Sequence, residues 1–168
     1  MPTSPDKADR AKRLIIVIVA GLTLVLDQAT KLIIVKNLSL YETITVIPGF
    51  FNITRIHNPG GAFGFLAGQS PNVRLTLFIL VSLMAAGFIL YMYIRTPRQY
   101  RLLLASLALI FGGALGNLTD RVRSGTVVDF LDFYVRSLHW PAFNLADSAI
   151  SVGMTVLLFY IIIKKVPV

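Results

Sequence analysis

The chain has 168 residues, of which 55% are hydrophobic and only 14% are charged, so it is far more apolar than a soluble domain of this length needs for its core. This composition excludes an ordinary soluble enzyme and predicts an integral membrane protein. The absence of cysteine excludes disulfides, cysteine nucleophiles and thiolate metal sites.

Four nearly uncharged windows are each long enough to cross a hydrocarbon layer about 30 Å thick. They run over residues 14–35, 73–94, 102–118 and 143–163. The first window follows a basic segment, as in a secretory signal sequence, but it is too long for that role and no convincing cleavage site follows it. We therefore expect one domain over residues 1–168, an α-helical membrane protein with four transmembrane helices.

The formal net charge of +8 is distributed unevenly along the chain, and the distribution predicts the orientation in the membrane. Nine of the sixteen Lys and Arg residues lie at the two termini and between the second and third spans: Lys7, Arg10, Lys12, Arg13, Arg95, Arg98, Arg101, Lys164 and Lys165. Because such residues favour the cytoplasmic side, both termini are expected to be cytoplasmic. Segments 36–72 and 119–142 would then face outside, and no nucleic-acid partner is expected.

The first span is apolar until Asp27, which Lys31 follows one helical turn later. At this spacing the two side chains can pair along one face, at a depth of roughly 20 Å from residue 14. Such a pair could anchor the outer end of the helix, orient neighbouring groups or act in catalysis directly, and the residues alone leave these roles open.

An outer β-rich segment is expected over residues 36–66. Residues 41–47 and 50–56 are rich in β-branched and aromatic side chains and are separated by a Pro-Gly pair, as in a hairpin. The stretch HNPGGAFGF, residues 57–65, follows with a tight backbone that another molecule or helix can approach closely. Its first amide, Asn58, is either a turn residue or a functional group.

The third span ends in GGALGNLTDR, in which small and polar residues form two stripes at helical spacing. The stripes are Gly112-Gly116-Asp120 and Gly113-Asn117-Arg121. Glycine stripes allow a neighbouring helix to approach closely. Because each stripe continues into polar residues, we expect a polar cluster at the outer membrane boundary on a closely packed helix.

The outer connection 122–142 is unusually apolar, and we expect it to form a short interfacial helix or re-entrant stretch at headgroup level. Asp129 lies within it, and Asp132 is expected to be the solvated acid. In the fourth span, Asn144 and Asp147 share one face. A carboxylate in an apolar helix costs several kcal/mol unless something compensates for it.

Asp129 and Asp147 fall on the outer side of the bilayer together with Asn58, Asn117 and Arg121. Two carboxylates that share a site cannot both ionise cheaply, so one can hold a proton while the other polarises water. The amides and the arginine would supply donors to a substrate carbonyl. Alternatively, Asp129 caps an interfacial helix and Asp147 satisfies helix-end amides. The residues alone leave both interpretations open.

Other chemistries fit less well. Ser148 with Lys31 would make a serine peptidase, but no glycine-rich nucleophile elbow surrounds the serine. The two histidines, His57 and His139, form no metalloprotease motif. A transporter would place its acids near the midplane on broken helices, whereas these acids lie toward the outer face.

Five stretches in order resemble the motifs of bacterial lipoprotein signal peptidase, the type II signal peptidase family: LDQATK, HNPGGAF, GGALGNLTDR, VVDF and FNLADSAISVG. The resemblance spans residues 27–153, and five ordered motifs make it specific. It implies a membrane aspartyl peptidase that removes the signal peptide from prolipoproteins, cutting just before a diacylglyceryl-modified cysteine. It also implies a bacterial cytoplasmic membrane location, with the active site near the outer face.

The resemblance assigns roles to matching residues. Asp129 and Asp147 would be the catalytic pair. The groove residues would be Asn58, Asn117, Arg121 and Asn144, and the supporting residues would be Asp27, Lys31, Gly60, Gly116 and Asp120. Gly61 departs from the pattern, where an alanine is expected. No cofactor or metal is expected, and the expected partners of a monomeric enzyme are a lipid-modified prolipoprotein and membrane lipid.

Overall fold

The computed structural model describes residues 5–60 and 70–164, so Gly61 lies outside the described residues. Four long helices dominate: α1 (Pro5–Asn37), α2 (Pro71–Arg95), α3 (Arg101–Ser124) and α4 (Leu145–Phe159), the last continued by a π-helical turn (Tyr160–Lys164). Each carries a stretch long and apolar enough to cross a membrane: Asp9–Asn37, Pro71–Arg95, Arg101–Ser124 and Leu145–Ile163. The four predicted spans are therefore confirmed, and α1 and α3 extend several residues beyond the predicted windows.

Helix α3 forms the centre of the bundle and packs against α1, α2 and α4. Buried residues make up 61% of its apolar stretch, against 17% to 22% in the other three helices. Leu103, Leu104 and Leu107 are at most 1% exposed. The outer helices turn many Leu, Ile and Val side chains away from the bundle, as expected where hydrocarbon replaces water.

The two glycine stripes of α3 are contact surfaces for two different helices. A Cβ on Gly112 would lie 2.7 Å from the carbonyl oxygen of Ala20 in α1, and one on Gly116 would lie 2.5 Å from Asp27 Oδ2. A Cβ on Gly113 would lie 2.5 Å from the carbonyl oxygen of Ala146 in α4. The predicted close packing is therefore confirmed, because α1 and α4 approach α3 where only hydrogen fits.

A four-stranded antiparallel sheet lies at the ends of the helices, with the strands in the order β1-β2-β3-β4. The strands are β1 (Thr43–Ile47), β2 (Phe51–Asn58), β3 (Val127–Val135) and β4 (Leu138–His139). The predicted hairpin is confirmed as β1–β2, with Gly49 at φ +79° in its turn. Strand β3 pairs along β2, so the hairpin belongs to a larger sheet.

The interfacial helix expected in segment 122–142 is wrong. Residues 127–135 form β3, which pairs with β2 from Phe51 opposite Phe133 to Asn58 opposite Val127. Phe133 stacks on Phe51 with ring centroids 4.7 Å apart. The aromatic and β-branched residues of this segment therefore pack within a sheet, where their strand propensity and cross-strand contacts decide the structure.

Asp132 was expected to be solvated, and this expectation is also wrong. The residue is 8% exposed and accepts a hydrogen bond of 2.8 Å from Asn52 Nδ2 on the neighbouring strand. Its other oxygen lies 2.8 Å from His139 Nδ1 on β4. Asp132 thus links β2, β3 and β4 within the sheet.

Candidate active site

Asp129 lies in β3, directly after the connection from α3, and is 2% exposed. The connection turns at Gly125, which ends α3 in the left-handed conformation at φ +76°. Oδ1 of Asp129 accepts a hydrogen bond of 2.7 Å from Asn144 Nδ2, and Oδ2 accepts one of 3.0 Å from Asn58 Nδ2. Burial raises the pKa of Asp129 to about 6 and the charge of Asp147 adds to this rise, although the two amide donors oppose it.

Asp147 lies in the first turn of α4, where it forms a reciprocal capping box with Asn144. The backbone N–H of Asp147 donates to Asn144 Oδ1 at 3.0 Å, and the backbone N–H of Asn144 donates to Asp147 Oδ2 at 3.3 Å. Asn117 Nδ2 donates to Asp147 Oδ1 at 2.7 Å. These donors and the positive end of the helix dipole compensate for the carboxylate in an apolar helix. The capping interpretation of Asp147 is therefore correct, and it is compatible with a second role.

Asn144 joins the two aspartates. Its side chain is fully buried and donates from Nδ2 to Asp129 Oδ1, while its Oδ1 accepts from the backbone of Asp147. Nδ2 also lies 3.3 Å from the carbonyl oxygen of Val128 and 3.2 Å from Asn117 Oδ1. One amide therefore fixes β3 against the start of α4, which brings the two predicted catalytic residues into one polar cluster.

Arg121 extends from α3 toward α2 beside this cluster. Its Nη1 lies 3.4 Å from Ser82 Oγ and 3.4 Å from the carbonyl oxygen of Asn117, and the guanidinium stands 5.6 Å from the ring centre of Phe78. Within the described residues Arg121 forms no ion pair. Arg121 is thus a cation near Asp129 and Asp147, and no carboxylate of the described residues contacts it directly.

The predicted pairing of Asp27 with Lys31 is confirmed, at 2.9 Å from Nζ to Oδ2. Nζ of Lys31 also lies 2.9 Å from Asp120 Oδ2 and 2.9 Å from Asn117 Oδ1. Sequence reasoning missed that Asp120 shares the lysine, and it missed Gln28, whose Nε2 donates to Asp120 Oδ1 at 2.8 Å. The extension of a glycine stripe into Asp120 was the available indication, because that stripe faces α1.

Gly60 lies two residues after the end of β2, in a conformation that favours glycine. Its φ is +87°, and a Cβ there would lie 2.5 Å from the ring of Phe78 on α2. Its backbone N–H donates to Asn58 Oδ1 at 2.9 Å, which leaves Asn58 Nδ2 directed at Asp129. Gly60 therefore helps to orient Asn58, which donates a hydrogen bond to the Asp129 carboxylate.

In the described part of the chain, the groups that a serine peptidase or a metalloprotease requires do not come together. Ser148 Oγ donates to the carbonyl oxygen of Asn144 at 2.9 Å, and Lys31 is engaged with carboxylates, so no Ser/Lys pair forms. His57 contacts Thr126, and burial together with the charge of Arg55 lowers the pKa of His57. Among the described residues no three His, Cys, Asp or Glu side chains cluster as metal ligands do.

Comparison with known proteins identifies the family. A family model described as signal peptidase (SPase) II matches residues 19–163. The chain belongs to this family. Among its curated relatives are the lipoprotein signal peptidases of Desulforapulum autotrophicum, 55% identical over 89% of this chain and 93% of the relative, and of Geobacter sulfurreducens, 55% identical over 80% and 83%.

Solved structures agree with this assignment. One, described as a bacterial membrane enzyme, superposes with a TM-score of 0.77 at 33% identity and covers 89% of this chain and 88% of its own. A second, described in the same words, has a TM-score of 0.77 at 29% identity, covering 88% of this chain and 92% of its own. As a member of the signal peptidase II family with four apolar helices, the chain is a multi-pass cell-membrane peptidase.

Proposed function

We propose that this chain is an aspartyl endopeptidase that removes the signal peptide from diacylglyceryl-modified prolipoproteins, cutting on the N-terminal side of the lipidated cysteine. Its family and the name of its relatives, lipoprotein signal peptidase, support the substrate class. The observation that carries the chemistry is the amide of Asn144, which binds the carboxylate of Asp129 and the backbone of Asp147 in one buried cluster.

The environments of the two aspartates support different roles. Burial raises the pKa of Asp129 to about 6, which favours a carboxylic acid able to donate a proton. Asp147 lies at the N-terminus of α4, where its two oxygens accept hydrogen bonds from Asn117 Nδ2 and from the backbone N–H of Asn144. Asp147 would therefore be the general base and Asp129 the general acid.

The reaction then proceeds in two balanced steps. Asp147 removes a proton from water as the water oxygen bonds to the scissile carbonyl carbon, and Asp129 donates its proton to the carbonyl oxygen. The resulting tetrahedral diol collapses when Asp129 recovers that proton and Asp147 passes the other to the leaving nitrogen. The C–N bond breaks, and both carboxyl groups return to their starting states.

Asn58, Asn117 and Asn144 hold the carboxylates through their side-chain amides and would line the substrate groove from the same positions. Arg121 is the group best suited to the polar region of the substrate. Its guanidinium contacts no carboxylate among the residues that the structure describes, and it would bind the peptide backbone or the oxygens of the lipid linkage.

The direct test is cleavage of a diacylglyceryl-modified prolipoprotein by the purified protein in detergent or lipid. We expect one cut immediately before the lipidated cysteine, unaffected by metal chelators and by serine-directed reagents. The same substrate without the lipid, and a substrate with the cysteine replaced, serve as controls. Inhibition by a chelator, or no cleavage together with saturable ion uptake into vesicles, would overturn the proposal.

We also propose that the termini are cytoplasmic and that the sheet and the aspartates lie at the outer face, as the basic residues near the span ends indicate. The natural chain has no cysteine, so single cysteines report orientation directly. In spheroplasts, a membrane-impermeant maleimide is expected to label Ser39→Cys beyond α1 and to spare Gln99→Cys between α2 and α3. Labelling of position 99 alone would show that the chain has the opposite orientation.

The pH dependence of cleavage follows from the proposed role of Asp129. Above its pKa of about 6 the protonated fraction falls about tenfold per pH unit, so kcat/KM is expected to decline along an alkaline limb that begins near pH 6. Because Asn58 donates to Asp129 and opposes the rise of that pKa, Asn58→Ala should move the limb to higher pH. A flat profile between pH 6 and 8 would contradict the assignment.

A further inference from the structure

Three charged side chains form a buried cluster behind the two aspartates. Asp27, Lys31 and Asp120 are 0%, 3% and 7% exposed, and both carboxylates contact the same lysine. Burying a charge is costly, and a buried ion cluster is often no more stabilising than apolar residues of similar volume. Two carboxylates with one ammonium also leave a net negative charge, so stability alone gives little reason for this arrangement.

The bonds that the cluster makes to the backbone point to a different role. Oδ1 of Asp27 accepts a hydrogen bond of 3.0 Å from the backbone N–H of Ala146. Oδ2 of Asp120 accepts one of 3.2 Å from the backbone N–H of Val128. Ala146 and Val128 are the residues immediately before the two proposed catalytic aspartates, one at the start of α4 and the other in β3.

Lys31 adds a third connection through Asn117. An ammonium can only donate, so the amide oxygen of Asn117 must face Nζ, at 2.9 Å. The amide nitrogen of Asn117 is then directed at Asp147, where it donates at 2.7 Å. The orientation of this amide is therefore set by the lysine and not by the catalytic carboxylate alone.

We propose that Asp27, Lys31 and Asp120 act as a positioning unit that sets the spacing of Asp129 and Asp147 by holding the backbone that precedes each of them. This inference rests on the proposed aspartyl function. None of the three cluster residues hydrogen bonds to either proposed catalytic carboxylate, so their effect on the positions of the two aspartates passes through Ala146, Val128 and Asn117. Removing one of these hydrogen bonds displaces one aspartate relative to the other without removing a group that contacts substrate.

The two acids of the cluster use their oxygens differently, which gives a sharp test. Asp27 uses Oδ2 for Lys31 and Oδ1 for Ala146, so an asparagine, with one acceptor oxygen, must lose one of these bonds in either orientation. Asp120 uses Oδ2 for both Lys31 and Val128, so an asparagine can keep both bonds. Its new amide nitrogen would face Gln28 Nε2, which also donates to Asp27 Oδ2 and to the carbonyl oxygen of Gly116, so Asp120→Asn loses only the bond between residues 28 and 120.

Kinetics of purified variants measure this difference. For Asp27→Asn we expect kcat to fall on the order of 100-fold, since a displacement of about 1 Å at a catalytic centre costs that much, while KM changes less than about threefold. Asp120→Asn is expected to keep at least about a third of kcat, and Asp120→Ala to lose as much as Asp27→Asn. Asp9→Asn removes an exposed ion pair with Arg98 at the other end of α1 and should leave kcat unchanged.

Backbone amide exchange tests the positioning independently of any activity. Asp27→Asn should speed exchange at Ala146 by at least about tenfold and spare Val128, whereas Asp120→Ala should do the reverse. This pattern would stand even if Asp129 or Asp147 proved dispensable for cleavage, so the two proposals fail separately. Suppose that Asp129 and Asp147 variants lose activity while amide exchange is unchanged in the Asp27 and Asp120 variants. The proposed function would then stand, and the positioning unit would be rejected.

Three results would overturn the proposal. The first is equal loss of kcat in Asp120→Asn and Asp120→Ala. The second is a loss of activity in Asp27→Asn that is fully explained by a smaller amount of folded protein. The third is unchanged exchange at both backbone amides. If Asp27→Asn does not fold, the two Asp120 variants decide the matter alone, because the asparagine there can keep both bonds of Oδ2.

Discussion

Asp129→Asn and Asp147→Asn are each expected to lower the cleavage rate of a lipidated prolipoprotein by about 10³-fold or more. Asparagine has nearly the same shape as aspartate but can neither hold nor accept the transferred proton, which removes the general acid or the general base. The measurement is the initial rate of signal-peptide release by purified variants at equal concentrations of folded protein.

Asp132→Asn is the matched control for these variants. Asp132 lies three residues after Asp129 in the same strand and is also buried, but it bonds Asn52 and His139 within the sheet. Its variant should retain cleavage, although some stability is lost with the sheet contacts. Activity at the wild-type level in either Asp129→Asn or Asp147→Asn would remove that residue from the proposed catalytic pair.

Gly113→Ala is expected to lower the melting temperature and to reduce cleavage as well. The added methyl carbon would lie 2.5 Å from the carbonyl oxygen of Ala146, and a backbone atom of a packed helix cannot turn aside as a side chain can. Helix α4 must therefore move away from α3. Overpacking of this kind costs about 1–3 kcal/mol, or roughly 2–12 °C in Tm for a protein of this size.

Gly87→Ala is the control for that experiment. Gly87 lies in α2 with nothing within 4 Å of an added Cβ, so alanine there should leave Tm unchanged or raise it through its higher helix propensity. The measurement is thermal unfolding of both variants in the same detergent. Equal melting temperatures for Gly113→Ala and the wild type would show that α3 and α4 can separate at little cost.

Local patterns predicted much of the fold from the sequence. Long apolar windows located all four helices, and spacing of four residues predicted both the glycine contacts and the pairing of Asp27 with Lys31. These predictions succeed because hydropathy and helical periodicity depend on residues near one another in the chain. The β1–β2 hairpin was predicted for the same reason, since its turn lies between its own strands.

Segment 122–142 shows where such reasoning failed. Strand β3 pairs with β2, about 75 residues earlier in the chain, so its partner could not be recognised from nearby residues. The apolar, aromatic composition of the segment therefore predicted an interfacial helix and a solvent-exposed Asp132. Both errors arise because burial in a sheet depends on a distant partner, which composition alone does not specify.

The candidate site was predicted as a set of residues but not as a network. The topology predicted from the sequence put Asp129 and Asp147 on the same side of the bilayer, and the ordered motifs named their neighbours. The bridging amide of Asn144 and the second acid bound by Lys31 depend on side-chain directions in three helices and a strand. The catalytic and binding roles of these residues remain predictions that the proposed variants test.

The lysine shared by α1 and α3 has a consequence for how the protein is made. When α1 enters the membrane, Asp27 and Lys31 can compensate each other, but Asp120 and Gln28's partner carbonyl at Gly116 are still to be synthesised. A charged residue at the centre of a transmembrane helix costs about 2.5–3.5 kcal/mol on insertion scales. While only α1 has been inserted, Lys31 and Gln28 therefore lack the partners that α3 supplies later. Asp27 gains its bond from the backbone N–H of Ala146 only when α4 arrives, so the polar groups of the first helix are fully paired only once the last helix is in place.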